Sequence, residues 1–280
     1  MMRSMYSAIS GLKVHQTMLD VTSNDIANVN TLGYKAQRTT FKESLSQLQR
    51  GAAAPSAAQG GSNAVQVGLG VQLGSIDNNM STGALQTTGN PLDVALQSDG
   101  SWFRVASANP AAGAGSINNI QFTRSGNFTR NEQGYLVTQD GQYVLGRSAA
   151  GTGGTDQLIQ IPAGATNLSI GQDGSVSYDP AAGGARVTAG YLSLAQFANE
   201  AGLQRVSSNR WAASSSSGTE AVGFPGGGYG LTTSGAIEMS NVDLAQEFTN
   251  MISAQRGFQA NSRVISTADQ MLQDLVNLNR

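Results

Sequence analysis

Both ends of the chain carry apolar residues spaced alternately three and four positions apart, and this pattern constrains the fold more than any other feature. Near the N-terminus one heptad position is apolar at every repeat, while the second begins apolar and then becomes polar. The two sets are Met5, Leu12, Leu19, Ile26 and Ile9, Gln16, Ser23, Asn30. Such spacing lines the residues along one face of an α-helix. The sequence therefore predicts a long N-terminal helix that packs against another helix.

The C-terminal end repeats this arrangement over a longer stretch. The two heptad positions hold Leu244, Met251, Phe258, Ile265, Leu272 and Phe248, Gln255, Ser262, Asp269, Val276. Ser240 and Asp243 form a capping-box-like pair, which predicts a helix start just before Leu244. A continuous helix from there to Arg280 would be about 55 Å long. We expect the two terminal helices to pair as a coiled coil. The pair would leave other apolar residues pointing outward: Val14, Ile252, Val264 and Leu275.

Between the helices the periodicity changes to short runs rich in β-forming residues. Glycine accounts for 35 of the 280 residues, well above the average of about 7%, which indicates many tight turns. Asp-Gly pairs at positions 99–100, 140–141 and 173–174 are hairpin signals. The candidate strands are residues 67–73, 92–97, 102–106, 120–123, 135–138, 143–146, 158–161, 168–170, 176–178 and 191–197.

Residues 50–66 are low in complexity and predict a flexible or extended link. We therefore expect an α+β fold in which long paired terminal helices flank an all-β outer domain joined by extended linkers. Three domains are predicted. They are a helical inner domain (1–32 and 240–280), a linker domain (33–72 and roughly 228–239) and a mainly β outer domain (73–227).

The residues offer little chemistry for an active site. Cysteine is absent and His15 is the only histidine, which excludes disulfides, thiolate sites and histidine-based metal clusters. Gly68 and Gly70 resemble a phosphate loop only loosely, because no Lys-Ser/Thr pair follows. Most aspartates sit beside Gly or Pro, where turn formation explains them. A glycosidase with paired carboxylates, such as Asp93 and Asp140, stays open as an alternative. The prediction is a protein without catalytic, cofactor-binding or metal-binding residues, hence not an enzyme.

The charge and hydropathy of the chain argue against two kinds of partner, nucleic acid and the lipid bilayer. The net charge is −2 with scattered Lys and Arg, which argues against nucleic acid. No stretch approaches the roughly 20 apolar residues that cross a bilayer, so membrane insertion is not expected. Charged residues make up only 12%; copies of such a chain repel one another weakly, although a Ser/Thr/Gln-rich surface explains the figure equally well. Residues 1–19 lack the apolar core of a signal peptide, so we expect no cleaved leader.

The segment that follows the first helix resembles the N-terminal signature of bacterial flagellar rod and hook proteins. The matching residues are Asn24, Ala27, Asn28, Thr31, Gly33, Tyr34 and Lys35. Gly33 can take a positive φ, so the run is suited to ending a helix. Residues 240–244, 251–262 and 267–272 resemble the C-terminal signature of the same family, and residues 67–71 and 88–96 resemble its middle segments.

This resemblance implies a subunit whose terminal helices form the innermost domain of a helical tube around an export channel. The inner coiled coil would use Met5, Ile9, Leu12, Leu19, Ile26, Leu244, Phe248, Met251, Phe258, Ile265 and Leu272. It implies export through the flagellar type III apparatus. The implied partners are further copies of the chain, which add head to tail, together with distal rod, hook cap and hook–filament junction proteins.

Within this family the sequence favours a hook subunit that transmits motor torque to the filament. Residues 67–71 and 275–278 are similar to those of hook proteins. The alternative is a distal rod subunit of the basal body, since rod-type subunits also carry an extra segment near residues 50–66. The expected location is the extracellular hook or, for the alternative, the rod within the envelope. Adhesins and phage tail tubes are also Gly-rich and β-rich, but those classes do not predict matched heptads at both ends.

Overall fold

The computed structural model describes residues 2–55, 60–108, 117–148, 155–181 and 183–278. The chain forms two compact units. The helical unit comprises Met1–Ala27, Gln37–Asn78 and Asp243–Arg280, and the β unit comprises Asn28–Ala36 and Asn79–Val242. The chain therefore passes between the units four times. The predicted division into three domains stays a prediction for the assembled subunit; in the single chain, residues 37–72 belong with the helices.

Two long helices dominate the helical unit, α1 (Met2–Ala27) and α2 (Leu244–Leu278). A Cβ placed on Gly11 would lie 2.7 Å from Asn261 Nδ2, and one placed on Gly257 would lie 2.5 Å from the His15 ring. Because the contact positions rise along α1 while they fall along α2, the helices are antiparallel. The predicted pairing of the terminal helices is confirmed. In the described residues, neither helix is long and apolar enough to cross a membrane.

The start of α2 differs in detail from the predicted cap. The Asp243 carboxylate Oδ1 accepts hydrogen bonds from the backbone N–H groups of Ala245 (2.9 Å) and Gln246 (3.3 Å), so Asp243 is itself the N-cap. Ser240 Oγ instead accepts from the Val242 N–H at 3.3 Å. The capping-box interpretation was wrong about the partners. The boundary at Leu244 is confirmed.

Apart from Val14, the buried positions of the helices are small or polar. On α1 they are Ala8, Gly11, Val14, Thr22 and Asp25, and on α2 they are Ala254 and Ala268. Small side chains let two helix backbones approach closely. The expectation that Val14 points outward was wrong, because α1 packs on two strands, β1 (Gln37–Glu43) and β4 (Val71–Asn78), as well as on α2.

Four strands complete the helical unit. Strand β1 (Gln37–Glu43) pairs antiparallel with β4 (Val71–Asn78), and β2 (Ser46–Arg50) pairs antiparallel with β3 (Val65–Gly68). The predicted link, residues 50–66, therefore begins in β2 and ends in β3, which pair with each other. An isolated bridge joins Ala53 to Ser62 within it. Residues 56–59 of that link lie outside the described residues. Pattern analysis missed β1 and β2 because their residues are mostly polar and exposed.

Antiparallel strands build the β unit. They are β5 (Leu85–Thr87), β6 (Val94–Leu96), β7 (Ser101–Ala108), β8 (Ile117–Thr123), β9 (Thr129–Arg130), β10 (Leu136–Val137), β11 (Tyr143–Arg147), β12 (Asp156–Leu158), β13 (Thr166–Ile170), β14 (Ser175–Asp179), β15 (Val187–Leu192), β16 (Leu194–Gln196), β17 (Gln204–Arg205), β18 (Arg210–Ala212), β19 (Ala221–Gly223), β20 (Thr232–Ser234) and β21 (Ala236–Glu238). Within the described residues, the main sheet runs β13-β14-β15-β11-β7-β8-β18-β17, with β9, β10, β12, β16 and β19 paired at its sides. Two smaller sheets pair β6 with β20 and β5 with β21.

The central strand β7 divides two apolar clusters. Phe103 and Val105 belong to the larger one, whereas Trp102 belongs to a smaller one with Trp211. Successive side chains of a strand point to opposite faces, which explains why neighbours on β7 enter different clusters. The Trp102 and Trp211 rings meet edge to face, with centroids 5.7 Å apart. Both faces of β7 are thus covered.

Two of the three predicted hairpin turns are confirmed. Gly141 and Gly174 have φ of 76° and 71° in the turns that join β10 to β11 and β13 to β14. The third prediction was wrong, since the strands on either side of Gly100 pair elsewhere: β6 with β20, and β7 with β8, β11 and β16.

Candidate functional site

The signature segment turns sharply once α1 has ended at Ala27. The Thr31 N–H donates to the Asn28 carbonyl at 3.1 Å, and the Thr31 hydroxyl donates to Asn28 Oδ1 at 3.0 Å. The Tyr34 N–H then donates to the Thr31 carbonyl at 3.3 Å. Local side-chain and backbone bonds of this kind replace the helical ladder. The predicted end of the helix in this run is confirmed.

Gly33 is required by both its conformation and its surroundings. Its φ is 64°, and a Cβ at this position would lie 2.7 Å from the Ser125 nitrogen and 2.8 Å from the Arg124 carbonyl carbon. The Gly33 N–H donates to the Glu238 carbonyl at 2.9 Å. A side chain would therefore strain the backbone and push the segment away from the end of β8.

Tyr34 is buried beneath the guanidinium group of Arg205. The Arg205 Cζ lies 4.7 Å from the centroid of the Tyr34 ring and 5.0 Å from that of the Trp211 ring. Arg205 Nη2 also donates to the Lys35 carbonyl at 2.7 Å. These are the distances of favourable cation–π contacts. They join the signature segment to the smaller apolar cluster of the β unit.

Lys35, Arg124 and Glu238 form a fully buried charge cluster. Lys35 Nζ lies 2.7 Å from Glu238 Oε1, and Arg124 Nη1 lies 3.4 Å from Glu238 Oε2, with no exposed side-chain surface on any of the three. Carbonyl groups bind one further donor of each cation: Ser81 accepts from Lys35 Nζ at 2.7 Å, and Ser98 accepts from Arg124 Nη2 at 2.9 Å. One carboxylate thus serves two buried cations.

The surroundings of the cluster shift several pKa values. Burial lowers the pKa of the Lys35 ammonium, and the Glu238 carboxylate only partly offsets this. Burial also raises the pKa of Glu200, against the opposing effect of Arg124. Hydrogen bonds from Thr82 lower the pKa of Asp99. Because desolvation dominates at Lys35, the cluster fixes the fold at some electrostatic cost and depends on Glu238 for balance.

The predicted assembly residues differ in their exposure. On α1, Met5, Leu12, Leu19 and Ile26 are half-buried, as are Met251, Phe258, Ile265 and Leu272 on α2. Ile9, Leu244 and Phe248 are exposed. Further exposed apolar residues lie on the same helices: Met2, Tyr6, Ile252, Val264, Met271, Leu275, Val276 and Leu278. An apolar surface of this extent is typical of a site of association, and the role of the predicted residues there stays a prediction.

The signature residues separate into two groups. Gly33, Tyr34 and Lys35 are buried, and Asn28 and Thr31 are half-buried. Asn24 and Ala27, at the end of α1, are exposed. The buried part of the motif is therefore packed within the β unit of a single chain.

Sequence reasoning missed Glu238 and Arg124, the partners of Lys35. One signal for Glu238 was available: it is the only charged residue between Glu220 and Asp243. A lone charge in a long uncharged stretch is costly to bury unless it is paired, so it is a candidate for a structural ion pair. Arg124 carries no comparable signal.

Two of the aspartates that the sequence places in turns accept hydrogen bonds from residues of the same loop. Asp93 accepts from the Thr88 hydroxyl at 2.6 Å and from Asn90 Nδ2 at 3.2 Å, and Asp173 accepts from the Ser175 hydroxyl at 2.6 Å. Across the described ranges, no group of three or more His, Asp and Glu side chains could hold a metal ion.

Three protein-family models match the chain. The model described as flagella basal body rod protein matches residues 5–35, and the one described as flagellar hook protein FlgE/F/G D1 domain matches residues 99–178. The model described as flagellar basal body rod FlgEFG protein C-terminal matches residues 233–278. The first and third cover the two terminal helices and the signature segment, and the second covers much of the main sheet.

Individual relatives extend over the whole chain. The flagellar basal-body rod protein FlgG of Bacillus subtilis (strain 168) is 48% identical over 282 residues, covering all of both chains. In Borreliella burgdorferi, FlgG is 31% identical over 286 residues with both chains fully covered, whereas the flagellar hook protein FlgE is 28% identical over 440 aligned residues, covering 99% of this chain and 100% of its own. The rod relatives match without long insertions. The chain belongs to the family of flagellar basal-body rod and hook proteins, which are structural components of the flagellar axis.

Proposed function

We propose that this protein is a distal rod subunit of the flagellar basal body, which polymerises into a helical tube and passes motor torque outward. The observation that carries the proposal is the 48% identity to a basal-body rod protein over the full length of both chains. A hook subunit, which the sequence pattern favoured, is supported less well. The alignment to a hook protein spans 440 residues, whereas this chain has 280.

The two helices supply the surface for polymerisation. Phe248 and Ile252 are 50% and 51% exposed and lie one turn apart on α2. Covering such side chains on assembly is favourable by about 25 cal/mol for each Å² of apolar surface. An interface between different faces of identical subunits generates an open helix. The proposed partners are further copies of the chain, the adjoining rod and hook proteins and the type III export apparatus, and the proposed location is the rod within the cell envelope.

The role in the rod can be tested in a strain that lacks the gene. Basal bodies would be purified and imaged by electron microscopy, beside the same strain carrying the gene on a plasmid. Basal bodies that end before the distal rod, and are restored by the plasmid, would support the proposal. A complete rod without a hook would instead support the hook function, and intact flagella would overturn both.

A further inference from the structure

A small cavity opens in the β unit where four segments of the chain meet. Its volume is about 220 Å³, and its lining residues come from the segments 31–32, 123–127, 138–140 and 208–210. All four segments belong to the β unit. Pockets that hold drug-sized ligands measure about 300–1,000 Å³, so this cavity has room for a single small ring.

Hydrogen bonds between the segments hold the walls of the cavity in place. Asn209 Nδ2 donates to the Leu32 carbonyl at 2.8 Å, and the Thr123 hydroxyl donates to the Asn209 carbonyl at 3.1 Å. In the turn between β10 and β11, the Gln142 N–H donates to the Thr138 hydroxyl at 3.2 Å. Because the walls are bonded within the chain itself, less has to be ordered when a ligand binds.

Several polar groups of the lining remain available to a ligand. Within the part of the chain that the structure describes, the Gln139 amide and the Ser208 hydroxyl form no hydrogen bond. The Asp140 carboxylate has Arg210 Nε as its neighbour at 3.9 Å, which is beyond hydrogen-bonding distance. Asn127 uses its Oδ1 within its own loop and keeps its Nδ2 group as a donor. The cavity thus offers a carboxylate, two amides and a hydroxyl.

The composition of the lining favours a neutral, polar ligand. Asp140 and Arg210 are the charged residues described there, and their opposite charges offset each other. The Arg210 guanidinium also donates to the carbonyl and the hydroxyl of Ser207, at 3.3 and 3.2 Å, so its Nε and Nη2 groups are already engaged and poorly placed to bind an anion. Leu32 is the one aliphatic side chain in the described lining, which gives an apolar ligand little surface to bury.

We propose that this cavity binds one neutral hexose ring. A carboxylate or a primary amide presents two hydrogen-bonding atoms side by side, and adjacent hydroxyl groups of a sugar match that spacing. Asp140 accepts from two neighbouring hydroxyls, and the Gln139 and Asn127 amides bind others. The C–H face of the ring lies against Leu32. Because hydrogen bonds to an ionised group are the stronger ones, Asp140 contributes most to the affinity.

The cavity is suited to binding a sugar and not to cleaving one. Glycoside hydrolysis uses a pair of carboxyl groups, whereas Asp140 is the one carboxylate in the described lining. Asp93, the other member of the pair considered from the sequence, lies outside the lining and accepts from Thr88 and Asn90 in its own loop. The proposal goes beyond the axial function and applies to a rod or a hook subunit alike.

Nuclear magnetic resonance on the isotope-labelled full chain tests the proposal. Glucose, galactose and mannose would each be added to about ten times the expected dissociation constant, which for so small a ligand is on the order of 1–10 mM. Changes in the amide signals of Asn127, Gln139 and Ser208 report binding. Glycerol at the same concentration is the control for a non-specific polyol effect, and inorganic phosphate is the control for an anion site.

We expect at least one hexose to shift these signals in a saturable manner. Asp140→Ala should weaken binding about tenfold and Gln139→Ala about threefold, in keeping with the loss of a charged and of a neutral hydrogen-bonding group. Both residues are exposed, so the chain should stay folded, and Gln139→Ala provides the test if Asp140→Ala does not fold. Asp173→Ala is the matched control and should keep the parent affinity, because Asp173 precedes glycine in the hairpin turn between β13 and β14 and lies outside the lining.

The absence of a saturable shift with all three hexoses would overturn the proposal. Equal shifts with glycerol, or a response to phosphate without one to a hexose, would also overturn it, since the cavity would then be a non-specific or an anion site. Parent affinity in both Asp140→Ala and Gln139→Ala would place the sugar elsewhere, and equal weakening in Asp173→Ala would trace the loss to the β unit as a whole. The gene deletion that tests the rod proposal is independent of these results, so the two proposals fail separately.

Discussion

Lys35 and Glu238 are 203 residues apart in the chain, yet their charged atoms lie 2.7 Å apart with both side chains fully buried. Lys35 ends the signature segment that follows α1, and Glu238 ends the last strand before α2. The Gly83 N–H donates to the same carboxylate oxygen at 3.0 Å. The contact therefore closes the β unit at the place where both terminal segments enter it.

Glu238→Gln should destabilise the β unit more than Lys35→Met does. The first change leaves two buried cations without their shared ion-pair partner, which costs about 3–5 kcal/mol of unfolding free energy. The second leaves Arg124 and Glu238 as a one-to-one pair, so a smaller loss is expected. Urea denaturation followed by tryptophan fluorescence, which reports on the buried Trp102 and Trp211, measures both. Equal losses would show that Glu238 does not balance two cations.

Gly33→Ala should cost more stability than Gly89→Ala. Both glycines have positive φ, 64° and 75°, but a Cβ on Gly89 would meet nothing within 4 Å. Gly89→Ala should therefore show only the backbone penalty of about 1–2 kcal/mol, and Gly33→Ala about 2–4 kcal/mol once the clash at Ser125 is added. The same denaturation experiment compares them. Losses that match within about 0.5 kcal/mol would contradict the steric argument.

Gly257→Ala should loosen the pair of helices even though alanine favours helix formation by about 1 kcal/mol. The new Cβ would lie 2.5 Å from the His15 ring, which packs edge to face on Phe41 with centroids 5.8 Å apart. The ring must shift to make room, which disturbs its contact with Phe41. Hydrogen exchange in α1 and α2 should become faster. Ser253→Ala, on the exposed side of α2, is the control and should leave exchange unchanged or slow it; slower exchange in Gly257→Ala would refute the close approach.

A double change, Phe248→Ser with Ile252→Ser, should impair polymerisation while the single subunit stays folded. Both side chains are half-exposed on α2, so their loss should change subunit stability by about 0.5 kcal/mol or less each. Complementation of the deletion strain, scored by motility and by electron microscopy of basal bodies, measures assembly. Gln259→Ser, an exposed polar position on the same helix, should assemble normally. If the double variant lost the stability of the single subunit as well as its assembly, unfolding would explain the defect and the surface role would be refuted.

Much of the architecture follows from the sequence, because periodicity is a local property. The heptads indicated both helices, and the Asp-Gly pairs at 140–141 and 173–174 marked real hairpins. The buried contact positions of the helices were not foreseen. A coiled-coil pattern identifies contact positions by their large apolar residues. The close approach at Gly11 and Gly257 is instead set by the neighbouring Asn261 and His15 side chains, which leave no room for a Cβ.

The charge cluster lay beyond sequence reasoning for a different reason. Lys35 could be recognised as part of a signature, but its partner is 203 residues distant, and no spacing rule joins the two. Short polar strands such as β2 also escaped, since strand formation there depends on a pairing partner and not on alternation. Sequence patterns thus predict the local elements but not the residues that these elements contact from distant parts of the chain.

The antiparallel helices are made from the first and the last thirty or so residues of the chain, as Gly11 beside Asn261 illustrates. Closing so large a loop carries an entropic cost that local contacts do not. When a chain is delivered from its N-terminus, α1 must therefore wait for α2 until the residues between Ala27 and Leu244 have arrived. Until then the part of α1 around Gly11 and His15, which contacts α2, stays uncovered.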